Sequence, residues 1–374
     1  MSTALLAGAF GQANPGDEAL LEAFVGALPG WEVVATSRRP AATADRHSCQ
    51  AVHTAAPLSV AREMRRADVV VFAGGTVFKR LHPASGRRAL SLLGSAAALA
   101  AGARAGRTAL ALVGVGADDL RSRPASFLAR RIVSASRLTV LRDEESATAL
   151  AGTGAALPFR VGADAAWAVV GEGPEATRRD VAVVALSHLA LPAPALMPAL
   201  AGALGHLASA GVEVHLQPWQ VDGKDAADLR MARSLAARLG TVARVVEPPA
   251  SLAEARETFA TARVVVGLRF HALVAAAAAG TPFVAVAHEP KLAGLARRFE
   301  QPAVDPRGAA LAGALDEALA RALTGPVPRP SVVRAQQAAA EEGFRLLRLV
   351  ASGGRAEDLD TLTGLPLVPD PWRL

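Results

Sequence analysis

At 374 residues the chain is long enough for two domains with a core in each, and its 51% hydrophobic content is alanine-inflated, with no run of the roughly 18 apolar residues that a membrane span needs. The formal charge is +6, from 40 basic and 34 acidic residues. The basic residues are scattered in pairs such as Arg65-Arg66, Arg87-Arg88 and Arg130-Arg131 with almost no aromatics between them, which argues against a nucleic-acid tract and suits anionic small molecules or an anionic membrane face that anchors the substrate.

Cys49 is the sole cysteine, so this chain alone forms no internal disulfide, cysteine zinc cluster or iron–sulfur centre. Lys79, Lys224 and Lys291 are its only lysines; the other basic residues are arginine. A lysine retained against that bias can mark a place where a compact, titratable ammonium is needed. Lys291 and Lys79 fit that reading by position, whereas Lys224 reads as incidental in a polar loop.

Residues 3–9 read as a strand, and the following GAFGQANPGDEALLEAF as a glycine turn into a helix whose Asp17 and Glu18 suit its positive end. The opening MSTALLAGAF lacks the basic region of a signal peptide, so a cytoplasmic protein is expected. Gly8, Gly11 and Gly16 do not have the dinucleotide spacing and no P-loop lysine follows, which argues against a nicotinamide or ATP site.

WEVVATS is a second strand, LSVAREMRRA a helix, and ADVVVFA a third strand running into the Gly74-Gly75 turn. GRRALSLLGSAAALAAGARAG is a helix and TALALVGVGA a fourth strand. RLTVL is a fifth, stopping at Arg142 before a helix that opens on Asp143, Glu144 and Glu145, where acidic residues ordinarily act as caps. Such alternation predicts a parallel, doubly wound α/β sheet.

The Gly- and Pro-rich stretch 152–179 reads as a boundary, after which the pattern restarts with VAVVALSH, a helix, VEVHLQPW, a helix, RVVEP and another helix. The expected organisation is an N-terminal Rossmann-like domain over 1–165, a C-terminal one over 166–330, and a final helix and tail over 331–374.

The densest chemistry lies between Arg263 and Phe299. Val264–Val266 reads as a buried strand, ended by Gly267; Arg269 and His271 open an alanine-rich helix that stops at Gly280. A further strand, Pro282–Ala287, delivers His288, Glu289 and Lys291 to the next helix. These groups are thereby predicted to share the carboxyl-end rim of one sheet, the usual ligand crevice of such folds.

At this point the chain resembles the polysaccharide pyruvyltransferase family. The blocks that carry the resemblance are GAFGQANPGDEALLEAF, ADVVVFAGGT, LRDEES, VGLRFHALVAAAAAGTPFVAV and HEPK, in the family's order over residues 4–299. The resemblance implies two Rossmann-like parallel-sheet domains facing a cleft, glycosyltransferase-B-like, with the last helix folding back over the first domain. It also implies transfer of a pyruvyl group from phosphoenolpyruvate to a nucleotide- or lipid-linked cell-envelope sugar, forming a ketal and releasing phosphate. No cofactor, metal or nucleic acid is implied, and a lipid-linked acceptor would place the protein at the inner face of the plasma membrane.

The chemistry asks for a proton donor beside anion-binding cations. His271 is the candidate acid/base, Arg142, Arg269 and Lys291 hold the carboxylate and phosphate, and Arg142, His271 and Lys291 match the family's motif positions best. Asp17, Glu18, Asp143 and Glu144 follow as acceptor contacts or a base; Gly16, Gly74, Gly75, His288 and Glu289 complete the expected binding set. Two departures bear on the acceptor. Thr76-Val77-Phe78-Lys79-Arg80 replaces the family's usual serine and acidic residue, and His288-Glu289 stands where a Tyr-Asp pair is common, in a chain with no tyrosine. Two other readings remain open: a glycosyltransferase using a nucleotide sugar, and a non-catalytic relative that binds an envelope precursor.

Overall fold

The computed structural model describes residues 2–81, 87–155, 159–171, 176–190, 192–221, 226–354 and 364–366; Lys224 lies outside them. The chain forms two compact units. The first comprises 1–12, 17–168 and 336–374, and the second comprises 13–16 and 169–335.

In the first unit the elements are β1 (Thr3–Phe10), α1 (Pro15–Ala27), β2 (Glu32–Ser37), α2 (Pro40–His47), β3 (Gln50–His53), α3 (Pro57–Arg66), β4 (Val69–Ala73), β5 (Phe78–Lys79), α4 (Ser91–Ala105), β6 (Ala109–Val115), β7 (Ala117–Asp118), α5 (Arg123–Ala135), β8 (Leu138–Leu141), α6 (Glu144–Ala151) and β9 (Arg160–Val161). Seven strands form one parallel sheet in the order β3-β2-β1-β4-β6-β8-β9, while β5 and β7 pair separately.

The second unit contains β10 (Val181–Leu186), α7 (Leu196–Ser209), β11 (Glu213–Pro218), α8 (Ala227–Leu239), β12 (Ala243–Val245), α9 (Leu252–Ala260), β13 (Val264–Gly267), α10 (Phe270–Ala278), β14 (Phe283–Val286), α11 (Pro290–Arg298), β15 (Ala303–Val304) and α12 (Leu311–Thr324). Its parallel sheet runs β12-β11-β10-β13-β14-β15.

The expected α/β class holds, and its physical basis is plain in the central strands. Every residue of β4, β8, β10, β13 and β14 is buried, as apolar strands covered by helices on both faces must be. Proline opens α2, α3 and α11, where its fixed φ suits the first turn and its missing N–H would have had no partner. Strand order reverses between β1 and β4 in one sheet and between β10 and β13 in the other, the switch points at which open sheets form crevices.

Some elements escape the sequence reading. α2 and β3 lie between its second strand and next helix; β3 is a sheet edge with no buried residue, so it carries no apolar signal. α5 buries Ala125, Ala129, Ile132 and Val133, a helical spacing carried largely by small alanines. β15 is only two residues long.

The last helix, α13 (Pro330–Ala351), belongs to the first unit from Gln336 onward. It buries Ala340, Phe344 and Leu347 along one stripe. Phe344 meets Phe24 of α1 edge to face, with centroids 5.1 Å apart at 86°. At Gly343 the helix faces β6 and β8, where a Cβ would meet Val113 at 3.4 Å and Val140 at 3.7 Å, ordinary van der Waals contact. Phe344→Ala is therefore expected to destabilise the first unit by about 3–5 kcal/mol, read as a lower urea midpoint; a loss below about 1 kcal/mol would show that the helix is not part of that core. Among the described residues no helix is long and apolar enough to cross a membrane.

Candidate functional site

In the first unit, the loop after β1 is closed by Glu18. One carboxylate oxygen accepts the Gly11 N–H at 3.0 Å and the other meets His47 Nε2 at 2.8 Å. Burial raises the carboxyl pKa, but the bonds from His47 and Gly11 outweigh it, so the group lies below its ordinary value. Both oxygens thus have partners within the protein. Gly11 itself is pressed to 2.2 Å, measured from a hypothetical Cβ, against Ser37 Oγ, at φ +70°. Asp17 is half-buried in the same first turn of α1.

Gly74 and Gly75 both have positive φ, +69° and +71°, which only glycine adopts readily. The Gly74 N–H donates to Val113 and Gly75 accepts from Gly116, so this turn knits the ends of β4 and β6. Arg142 follows β8 and is 4% exposed. Its Nε donates to Asp143 Oδ2 at 2.7 Å, and its Nη1 reaches Thr76 Oγ1 at 3.5 Å and lies 3.9 Å from Asp164. The absent side chain of Gly116 makes room for it, since a Cβ there would sit 2.5 Å from Nη2.

Asp143 caps α6, its Oδ1 accepting from the Ser146 N–H at 2.7 Å and Oγ at 2.5 Å. Burial raises its pKa, but Arg142 and Ser146 bring it below the usual carboxylate value. Asp143 is accordingly a helix cap and the counter-ion of Arg142. Glu144, beside it, is exposed.

In the second unit, the ends of β10, β11 and β13 meet at a carboxylate that the sequence did not signal. Asp228, in the first turn of α8, is fully buried. Its Oδ1 accepts the His188 N–H at 2.9 Å and meets the His188 ring Nδ1 at 2.7 Å; its Oδ2 accepts from Gln220 N at 3.0 Å and Arg269 Nη2 at 2.5 Å. Burial alone would raise its pKa, but His188 and Arg269 together lower it to about 2. Arg269, 9% exposed, also donates from Nε to the Leu186 carbonyl at 3.3 Å. Its guanidinium thus answers a buried charge.

His271 lies in the first turn of α10, against Gly16 of the same unit. A Cβ on Gly16 would stand 2.0 Å from His271 Nδ1, so glycine is what admits the ring there. Phe270 meets the His271 ring edge-on at 5.4 Å, and Lys291 Nζ lies 6.0 Å from the Phe270 centroid. Lys291 also pairs with Glu289 at 2.6 Å. Two imidazoles, an ammonium and a guanidinium thus follow β13 and β14, with His188 on the neighbouring strand end.

A model of the polysaccharide pyruvyl transferase family matches residues 14–290. The chain belongs to that family. It is a transferase, and Arg142, Arg269, His271, His288 and Glu289 fall within the matched span, which ends one residue before Lys291.

The chain also shares its fold with solved structures. UDP-GlcNAc 2-epimerase from Methanocaldococcus jannaschii aligns at a TM-score of 0.62 and 10% identity, covering 94% of this chain and 100% of that one. Neisseria meningitidis UDP-GlcNAc 2-epimerase, bound to UDP-GlcNAc, gives 0.60 at 9% identity over 95% and 100%. Anabaena HepE, in complex with UDP and glucose, gives 0.59 at 14% identity over 97% and 100%. No curated protein matches the chain in sequence. The fold is glycosyltransferase-B-like, as the family resemblance implies.

His288 of the transferase is held in the neutral form, its pKa lowered to about 4 chiefly by burial and further by Lys291 and Arg269, against the opposing pull of Glu289. The folded value lies below the ordinary 6.5, so the unfolded chain binds the proton more readily and stability falls as pH drops from about 6.5 to about 4. Wild-type protein is expected to lose up to about 3 kcal/mol more than His288→Gln across that window. Equal losses in urea titrations at pH 7 and pH 4 would sink this account.

Proposed function

We propose that the protein transfers a pyruvyl group from phosphoenolpyruvate to a sugar of a polysaccharide or cell-envelope precursor, forming a ketal on two hydroxyls and releasing phosphate. The observation that carries this reading is the placing of His271, Arg269, His288 and Lys291 at the carboxyl ends of β13 and β14, within a chain of the pyruvyl transferase family.

The donor carries a carboxylate and a phosphate around an electron-rich methylene. Its activation needs cations for the anions and an acid for the carbon. His271 protonates the methylene, and Lys291 binds an anionic group of the donor. In the first unit, Asp143 holds the Arg142 guanidinium, presented by β8, at a fixed angle. Arg269 acts by fixing Asp228 while adding positive potential to the rim. The reaction calls for no cofactor beyond the donor. A lipid-linked acceptor would bring the enzyme to a membrane face, and a nucleotide-linked one would not.

Incubating the protein with phosphoenolpyruvate and envelope sugar precursors should release phosphate and yield a product heavier by pyruvate less water. Release of nucleotide from a UDP-sugar, with no phosphate from phosphoenolpyruvate and any acceptor, would replace this reading with glycosyl transfer.

A further inference from the structure

We propose that His188, oriented by Asp228, is a second acid–base residue of this reaction: it takes a proton from one sugar hydroxyl and hands it to the departing phosphate. The assignment rests on the pyruvyl-transfer reading above and follows first from proton stoichiometry. Ketal formation consumes two hydroxyl protons; in the products one is on the new methyl group and the other on inorganic phosphate.

His271 can complete one circuit, giving its proton to the donor methylene and recovering one from a hydroxyl. The second circuit needs another group that is base and then acid. As the second hydroxyl oxygen bonds to the donor's C2, its proton moves to His188 Nε2. As the C2–O bond to phosphate breaks, the bonding pair leaves with the phosphate oxygen and the same proton follows it. Both imidazoles end as they began.

The geometry of His188 suits that task. β10 lies beside β13 in parallel register, with Ala185 opposite Gly267, so the residues after Leu186 leave the sheet level with those that lead to Arg269 and His271. This is the switch point of the second sheet, where ligands bind in open α/β folds. The Asp228 carboxylate at 2.7 Å fixes the proton of neutral His188 on Nδ1 and leaves Nε2 as the basic atom. The His188 side chain is 32% exposed while Asp228 is wholly buried, so the accessible edge of the ring is the one turned from the carboxylate. Arg269 on the opposite oxygen and Gln220 N–H complete the socket, which makes Asp228 and Arg269 positioning residues. Beside them Ser187 Oγ is buried with no hydrogen-bond partner among the described residues.

A histidine kept only to satisfy Asp228 could be replaced by another donor. His188→Asn retains an N–H for Asp228 and removes the base, so it separates the two roles. With the wild-type protein active, His188→Asn is expected to lower kcat by at least about 100-fold and to leave the KM for phosphoenolpyruvate nearly unchanged. Free imidazole should restore turnover to His188→Ala. Wild-type kcat in His188→Asn, or a loss with no imidazole rescue of His188→Ala, overturns the assignment while leaving pyruvyl transfer standing. A wild-type protein that releases no phosphate from phosphoenolpyruvate with any acceptor overturns the function reading, and this assignment with it.

Discussion

Gly16→Ala is expected to lower turnover by 100-fold or more, on the order that a 1 Å misplacement of a reacting group costs. The residue is helical and its φ is not in the positive range, so by propensity alone alanine would favour α1 by up to about 1 kcal/mol. The obstacle is steric: the new Cβ would stand 2.0 Å from Nδ1, 2.3 Å from Cγ and 2.7 Å from Cβ of His271. Those atoms form the base of the ring, not the loose end of a flexible chain, so the imidazole must swing or the backbone must shift. Overpacking of this kind costs about 1–3 kcal/mol. In a His271→Ala background the two ring contacts disappear and only the 2.7 Å approach to the residue 271 Cβ remains, so the same change should cost less than in the wild type, a coupling that a double-mutant cycle reads directly. Full activity in Gly16→Ala would show that His271 has no fixed seat there.

Asp228→Ala is expected to cost about 3–5 kcal/mol of stability, because it strands the Arg269 guanidinium in a buried site and removes the acceptor for His188 and Gln220 as well. Removing both charges, as in Asp228→Leu with Arg269→Met, should cost less than the single change, since no uncompensated ion remains. Urea unfolding of the three variants checks the order. The same carboxylate supplies an acid limb: its folded pKa of about 2 lies below the ordinary 3.8, so the stability it adds is present above 3.8 and lost as pH falls toward 2. A single substitution that is milder than the double one would refute the buried-pair account.

The run from β13 to α11 was legible in the sequence because each step has a local cause: an apolar strand, a glycine that ends it, an alanine-rich helix, a proline that starts the next one. His188 and Asp228 were not. Each is a lone polar residue beside a strand end or in a helix's first turn, and only the pairing of β10 with β13 and the return of α8 bring them together. Gly16 was read as a glycine of the turn belonging to the binding set, and nothing nearby in the chain states that an imidazole leans on it. For Glu18 and Asp143 the sequence shows the charge but not the backbone N–H groups and side chains that meet it. The glycine turn at Gly74-Gly75 was visible; that it is stitched to Gly116 was not.

The first unit is assembled from both ends of the chain, with its closing helix α13 encoded after every strand of the two sheets. A ribosome that has released residue 335 has made the whole second unit, yet Phe24 of α1 still lacks Phe344, and Val113 of β6 and Val140 of β8 still lack the helix at Gly343. Synthesis order and completion order are therefore opposed: the half begun first is sealed last, and its unsealed sheet is the stretch most in need of a chaperone while translation finishes.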